Sequence, residues 1–288
     1  MRISKFSAHY AALIFTLALA LLLSACASMP QGKPDQGTQV ASLQAQLYQA
    51  QEALAKTAGS ERTLVFVGAA LNSQSTAFQS DVLAVQKRLA GFDMPMQSLI
   101  VSNPPADLAA RFPAATQQNL SEVFSRVGAW SDKYPITVVV LMSSHGNVDQ
   151  LAIEIAGQAY PPIRSATLNA WLRRINPATP TVVLLSACYS GSFVPALADG
   201  YRVLLTASAA DRSSFGCSPK STNTWFIESL LEQGLKPELS WSEAFKRTSQ
   251  RVAAKEHALK LLPSLPQASI PNAWVNAPLA DWLRGIKP

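Results

Sequence analysis

Histidine and cysteine are scarce, with three of each in 288 residues. With so few imidazoles and no CxxC pair there is no ligand set for a metal, and no metal or other cofactor is expected. A G-x-x-x-x-G-K-[ST] phosphate loop is absent. So is the G-x-S-x-G elbow of a serine hydrolase: Ser190 lies in C-Y-S-G-S, with Cys188 where the first glycine would stand. Charge is sparse, at 15% of residues with a net +6. The positive residues are scattered, in segments such as LRRI and FKRTSQR, as on solvated helical faces. That field is too weak to argue for a nucleic-acid partner. No long-period repeat is present, which excludes a solenoid, and a 48% hydrophobic content excludes disorder throughout.

What is present begins at the N-terminus. Arg2 and Lys5 precede an uncharged apolar run over residues 11–23, too short to span a bilayer but of the length of a signal-peptide h-region. The run ends in LLSAC, residues 22–26, which resembles a bacterial lipobox. That resemblance implies a signal peptide over 1–25 and acyl chains on Cys26. Ala27 and Ser28 follow with no aspartate, as in lipoproteins sorted to the outer membrane and facing the periplasm of the bacterial cell envelope. Several chains on one cysteine give a stable membrane anchor. Losing Arg2 and Lys5 with the leader takes the formal charge from +6 to +4. Only Cys188 and Cys217 then remain, and an oxidising compartment would allow them to form a disulfide.

Residues 30–38, PQGKPDQGT, have the composition of a linker. Val40, Leu43, Leu47, Ala50 and Leu54 then fall on one stripe of a helix, a spacer that lifts the following domain off a membrane or packs on its flank. Residues 26–59 are read as linker and spacer, 60–288 as the functional domain. Within it TLVFVGAA (63–70), SLIV (98–101), ITVVVLM (136–142), TVVLL (181–185) and YRVLLTA (201–207) are strand-like, and LAIEIAG (151–157) suits a hairpin arm. Amphipathic stripes lie between them: Phe78, Val82, Val85 and Leu89; Leu120, Phe124, Val127 and Trp130; and Leu168, Trp171, Leu172 and Ile175, the last with Ser165 as N-cap. Two more helices follow, one over about 225–233 and one opened by the capping-box pair Ser240 and Glu243. This alternation predicts an α/β fold with a mainly parallel sheet covered by helices on both faces. In such sheets functional groups gather beyond the carboxyl ends of the strands.

Both sharp motifs fall there. LMSSHGN places His145 and Gly146 just after one strand, and LSACYSGS places Cys188 just after another. The two residues are 43 apart, close to the roughly 50 of one caspase-type arrangement. His9 belongs to the leader and His257 to a charged helical face, which leaves His145 as the histidine to pair with Cys188. A thiolate nucleophile needs a neighbouring imidazole to stabilise it and to protonate the leaving amine.

SSHG, SACYSGSF and TASAADRSSFG (206–216) together resemble the legumain-type cysteine peptidases of the caspase-fold clan, over roughly residues 61–235. The resemblance implies a caspase-like three-layer sandwich and a cysteine endopeptidase acting on protein or peptide. It implies that His145 is the general base or acid, that Cys188 is the nucleophile, and that the main-chain amides of Gly146 and Cys188 form the oxyanion hole. Ser213 and Ser214 match the family's paired serines at the substrate pocket, and Asn72 lies near the family's histidine-orienting asparagine. Ser186 stands where legumains carry an acidic residue, and Ala77 and Phe78 where they carry an arginine-histidine pair. These changes remove charge from a pocket that would hold asparagine, so strict asparagine specificity is not expected. Two alternatives stay open: an inactive caspase-fold lipoprotein that binds protein or peptide, and a transpeptidase using the same acyl-thioester.

Overall fold

The computed structural model describes residues 36–57 and 61–286. The leader, the lipobox with Cys26 and residues 30–35 of the linker lie outside the described residues. The first element is helix α1 (Gln36–Thr57). Strands β1 (Thr63–Ala70), β2 (Met96–Ser102) and β3 (Ile136–Ser143) follow, separated by helices α2 (Thr76–Leu89) and α3 (Gln117–Lys133). A small antiparallel sheet of β4 (Gly146–Asn147), β5 (Gln150–Ile155) and β6 (Gln158–Ile163) comes next, then α4 (Ser165–Leu172), β7 (Thr181–Ser186), the short α5 (Val194–Leu197) and β8 (Arg202–Thr206). The chain ends with α6 (Trp225–Ser229), α7 (Trp241–Ala258), β9 (Gln267–Ser269) and α8 (Leu279–Leu283).

The main sheet has the order β2-β1-β3-β7-β8-β9. All its pairings are parallel except the last, β8 with β9. Its central strands lack polar alternation because both faces are covered. Val65, Val67, Val138, Val140 and Val183 point into one apolar cluster with α1, α3 and α4. Leu64, Phe66, Val139, Leu141, Val182 and Leu184 point into the other with α2, α6, α7 and α8. The result is the α/β three-layer arrangement expected from the sequence.

One predicted detail differs. Arg164, not Ser165, is the N-cap of α4. The main-chain N–H of Ser165 instead donates to the Asp149 carboxylate, which supplies the missing cap from another loop. Within the proline-rich segment 261–274, the three residues of β9 close the sheet edge beside β8.

Of the two arrangements left open for the first helix, packing on the flank is the one found. Leu43, Leu47, Ala50 and Leu54 are all buried in the first cluster. The Gln46 side chain also serves the edge strand: its amide donates to the Ile100 carbonyl at 3.3 Å and its oxygen accepts the Ile100 N–H at 3.0 Å. It satisfies the groups that an unpaired β2 would leave open. Leu47→Ala is therefore expected to destabilise the protein by about 2–5 kcal/mol, as for other buried leucines. Urea unfolding measures it, and an unchanged midpoint would mean that the helix is only a spacer.

Candidate active site

The site is built by the pairing of β3 with β7. Their register sets Ser143 opposite Ser186, so His145 and Cys188 each lie two residues beyond the last paired position. Two adjacent parallel strands of matched length deliver both side chains to the same sheet edge. Beyond β3 the chain turns into β4, and the His145 carbonyl accepts the Ala152 N–H at 2.9 Å. Beyond β7, Tyr189 adopts a left-handed conformation with φ of 58° and opens a 3-10 turn over Ser190–Phe193. Strained backbone of this kind concentrates at functional turns.

Gly146 sits where the two loops touch. A Cβ there would collide with the Cys188 carbonyl and come within 3.0 Å of the Ala187 Cβ. Only glycine lets the segment after the histidine pass this close to the segment that bears the cysteine.

His145 is half-buried, its ring in a T-shaped pair with Phe78 at 5.0 Å between centroids. Burial holds its pKa below the ordinary histidine value, while the nearby charges of Cys188 and Glu154 pull it back up. Glu154 is buried on β5, and its carboxylate accepts from the Ser73 hydroxyl at 3.0 Å and from the Gln74 amide.

The Cys188 thiol is pulled down to about 5. The neighbouring Cys217 thiol is the largest cause; burial opposes the shift; the Ser214 main-chain N–H, the Ser214 hydroxyl and the His145 charge add to it. The Ser214 N–H lies 3.3 Å from the sulfur and the hydroxyl 3.7 Å. Cys217 is pushed upward, first by its neighbour Cys188 and then by burial. The two are free thiols, so the disulfide left open from the sequence is not formed in this state.

A buried polar network lies under this surface. The Asp81 carboxylate on α2 accepts from the Ser143 hydroxyl at 2.7 Å, from the Thr224 N–H at 3.0 Å and hydroxyl at 2.8 Å, and from the Asn223 amide at 3.0 Å. Because Thr224 donates to Asp81, the Ser186 hydroxyl donates to Thr224 at 2.7 Å. Full burial raises Asp81 to about 7 against those hydrogen bonds.

The site residues expected from the sequence are distributed as follows. His145, Gly146, Cys188 and Ser214 come together. Ser186 is 1% exposed and spends its hydroxyl inside the Asp81 network, and Ser213 is exposed on the same loop as Ser214. Asn72 is buried, and its side-chain oxygen accepts the Gln74 N–H at 2.9 Å. Glu154 and Thr224 were missed: a lone glutamate in LAIEIAG and a threonine before a helix carry no pattern of their own. Among the described residues no group of three or more His, Cys, Asp or Glu is placed to hold a metal ion.

The Peptidase C13 family model matches residues 129–276, which is more than half of the chain and takes in His145, Cys188 and Cys217. The chain belongs to the Peptidase C13 family. It is thus a cysteine peptidase of the legumain type. Among solved structures it is similar to the crystal structure of caspase-1 from Spodoptera frugiperda, with a TM-score of 0.48 and 13% identity over 74% of this chain and 87% of that one. No curated protein matches it.

In this C13 peptidase the largest influence on the Cys188 thiol is its neighbour Cys217. Alkylation of Cys188 by iodoacetamide is expected to rise through about pH 5 as the thiolate forms, and Cys217→Ala should move that rise toward the ordinary thiol range. Mass spectrometry of labelled peptides reads it. An unmoved profile would remove Cys217 from the account.

Proposed function

We propose that the protein is an endopeptidase that cleaves peptide bonds through a His145–Cys188 dyad. The observation that carries this is the β3–β7 register, which brings a half-buried imidazole beside a thiol held toward its thiolate. The Cys188 thiolate attacks the scissile carbonyl carbon. The oxyanion that develops is received by the main-chain N–H groups of Gly146 and Cys188, whose close approach needs the glycine. His145, as imidazolium, protonates the departing amine as the C–N bond breaks and an acyl-thioester forms on Cys188. The neutral imidazole then deprotonates a water, which attacks the thioester, and the thiolate leaves with the carboxylic acid product released.

Glu154 acts on this cycle through His145. Its carboxylate favours the imidazolium that must protonate the amine. The substrate is a protein or peptide, and Ser214, with Ser213 on the same loop, lies beside the thiol where it passes. Ser186 acts at one remove, by fixing Thr224 below the pocket. Asn72 shapes the turn that carries Ser73 and Gln74 to Glu154. The sequence LLSAC supports a second part of the proposal: Cys26 carries lipid and tethers the peptidase to the bacterial cell envelope, on the periplasmic face of the outer membrane.

Cleavage of a peptide library by the full-length chain tests the reading. Cys188→Ala and His145→Ala should each abolish turnover with folding retained, and unaltered cleavage by either would overturn it. The sign of the pH dependence follows from the two shifts. Thiolate accumulates as pH rises through about 5, and imidazolium is lost below the ordinary histidine range, so kcat/KM should peak on the acid side of neutrality. Glu154→Gln removes the charge that supports the imidazolium, and the falling limb should move to lower pH while thermal stability stays close to wild type. An unmoved limb would make Glu154 purely structural.

A further inference from the structure

The dyad uses only one of two neighbouring thiols. Cys217 lies on the irregular loop between β8 and α6, and its place there is fixed from both sides. Gly216, with φ of 87°, passes so close to Trp225 that a Cβ would fall 2.6 Å from the Trp225 nitrogen. The Phe215 carbonyl accepts the Trp225 N–H at 3.0 Å, and their rings stack at a tilt with centroids 5.3 Å apart. On the other side the Ser218 carbonyl accepts the Ser75 hydroxyl at 2.8 Å. Between these anchors the same loop reaches the dyad: the Ser214 N–H, three residues before Cys217, lies 3.3 Å from the Cys188 sulfur, and the two thiols are near enough for each to be the largest influence on the other. Both side chains are half-buried, and neither is bonded to another cysteine.

We propose that Cys188 and Cys217 are a site of reversible oxidative modification, closing to a disulfide when the protein meets a hydroperoxide. A nucleophilic thiol with a second free thiol on the loop that touches it is the arrangement that lets a sulfenic acid be captured before it is oxidised irreversibly. The Cys188 thiolate attacks the hydroxyl-bearing oxygen of the peroxide, the O–O bond breaks, and the hydroxide or alkoxide takes up a proton from solvent and leaves as water or alcohol. Cys188 is now a sulfenic acid, oxidised by two electrons. The Cys217 sulfur attacks the Cys188 sulfur, the S–O bond breaks, and hydroxide leaves as water with the Cys217 proton. The sulfurs close to the roughly 2.05 Å of a disulfide. An added dithiol returns both residues to thiols. The chemistry needs only the two sulfurs; that it switches off peptidase activity rests on the function proposed above.

The test treats the purified full-length chain with hydrogen peroxide and maps the unreduced peptides by mass spectrometry. A peptide pair joined through Cys188 and Cys217 is expected, with iodoacetamide labelling of Cys188 lost and then restored by dithiothreitol. In Cys217→Ser, and in Cys217→Ala should the first variant fold poorly, the same treatment should carry Cys188 to a sulfinic or sulfonic acid that dithiothreitol does not restore. Absence of the joined pair in the wild type, joining to Cys26 instead, or equal recovery with and without Cys217 would each overturn the inference. Because mass reads the bond without any substrate, a reduced wild-type protein that forms the pair but cleaves nothing would count against the proposed function and leave this inference standing.

Discussion

Parallel pairing of β3 with β7, with Ser143 opposite Ser186, is the constraint on which the rest of the site depends. Neither His145 nor Cys188 belongs to the sheet, yet both are positioned by it, because each follows its strand end by the same two residues. A shift of one residue in that register would turn the inward and outward faces of a strand around. Val138, Val140 and Val183 on one face, and Val139, Val182 and Leu184 on the other, resist such a shift because both faces are buried in apolar clusters. The core therefore sets the geometry of the chemistry, and its cost in sequence is a run of aliphatic residues in the central strands.

Beneath the sheet edge, Asp81 joins the parts that must hold still. Its carboxylate on α2 collects Ser143 from the end of β3 and Thr224 and Asn223 from the start of α6, and through Thr224 it reaches Ser186 at the end of β7. Above it the Cys188 thiolate is stabilised mainly by donors from the loop after β8, with His145 a smaller influence. The division is chemically sensible. Loop donors make the nucleophile, which leaves the imidazole free to carry the proton that the leaving group needs.

Much of this was legible in the amino-acid sequence. The buried strands announce themselves because a strand covered on both faces has no polar alternation, and SSHG and SACYSGSF stand at strand ends where a parallel sheet gathers function. Topology alone then brings His145 to Cys188. What escaped depends on contacts distant in sequence. Gln46 meets Ile100 across 54 residues, and Ser73 meets Glu154 across 81, with no local signal in either case. Cys217 was visible as a residue, but its influence on Cys188 depends on a loop anchored by Gly216 against Trp225. The strand β9 has three residues and follows prolines, too short for any periodicity to appear.

The central claim, that the imidazole of His145 acts on the thiol of Cys188, is tested most directly by the rate at which iodoacetamide alkylates Cys188 at about pH 5, where the thiolate is half formed. Wild type is compared with His145→Ala, the labelled peptide being quantified by mass spectrometry. The account predicts slower labelling in the variant, because the positive charge that favours the thiolate has been removed. Equal rates in the two proteins would mean that the histidine and the cysteine share a sheet edge without sharing a chemistry, and would contradict it.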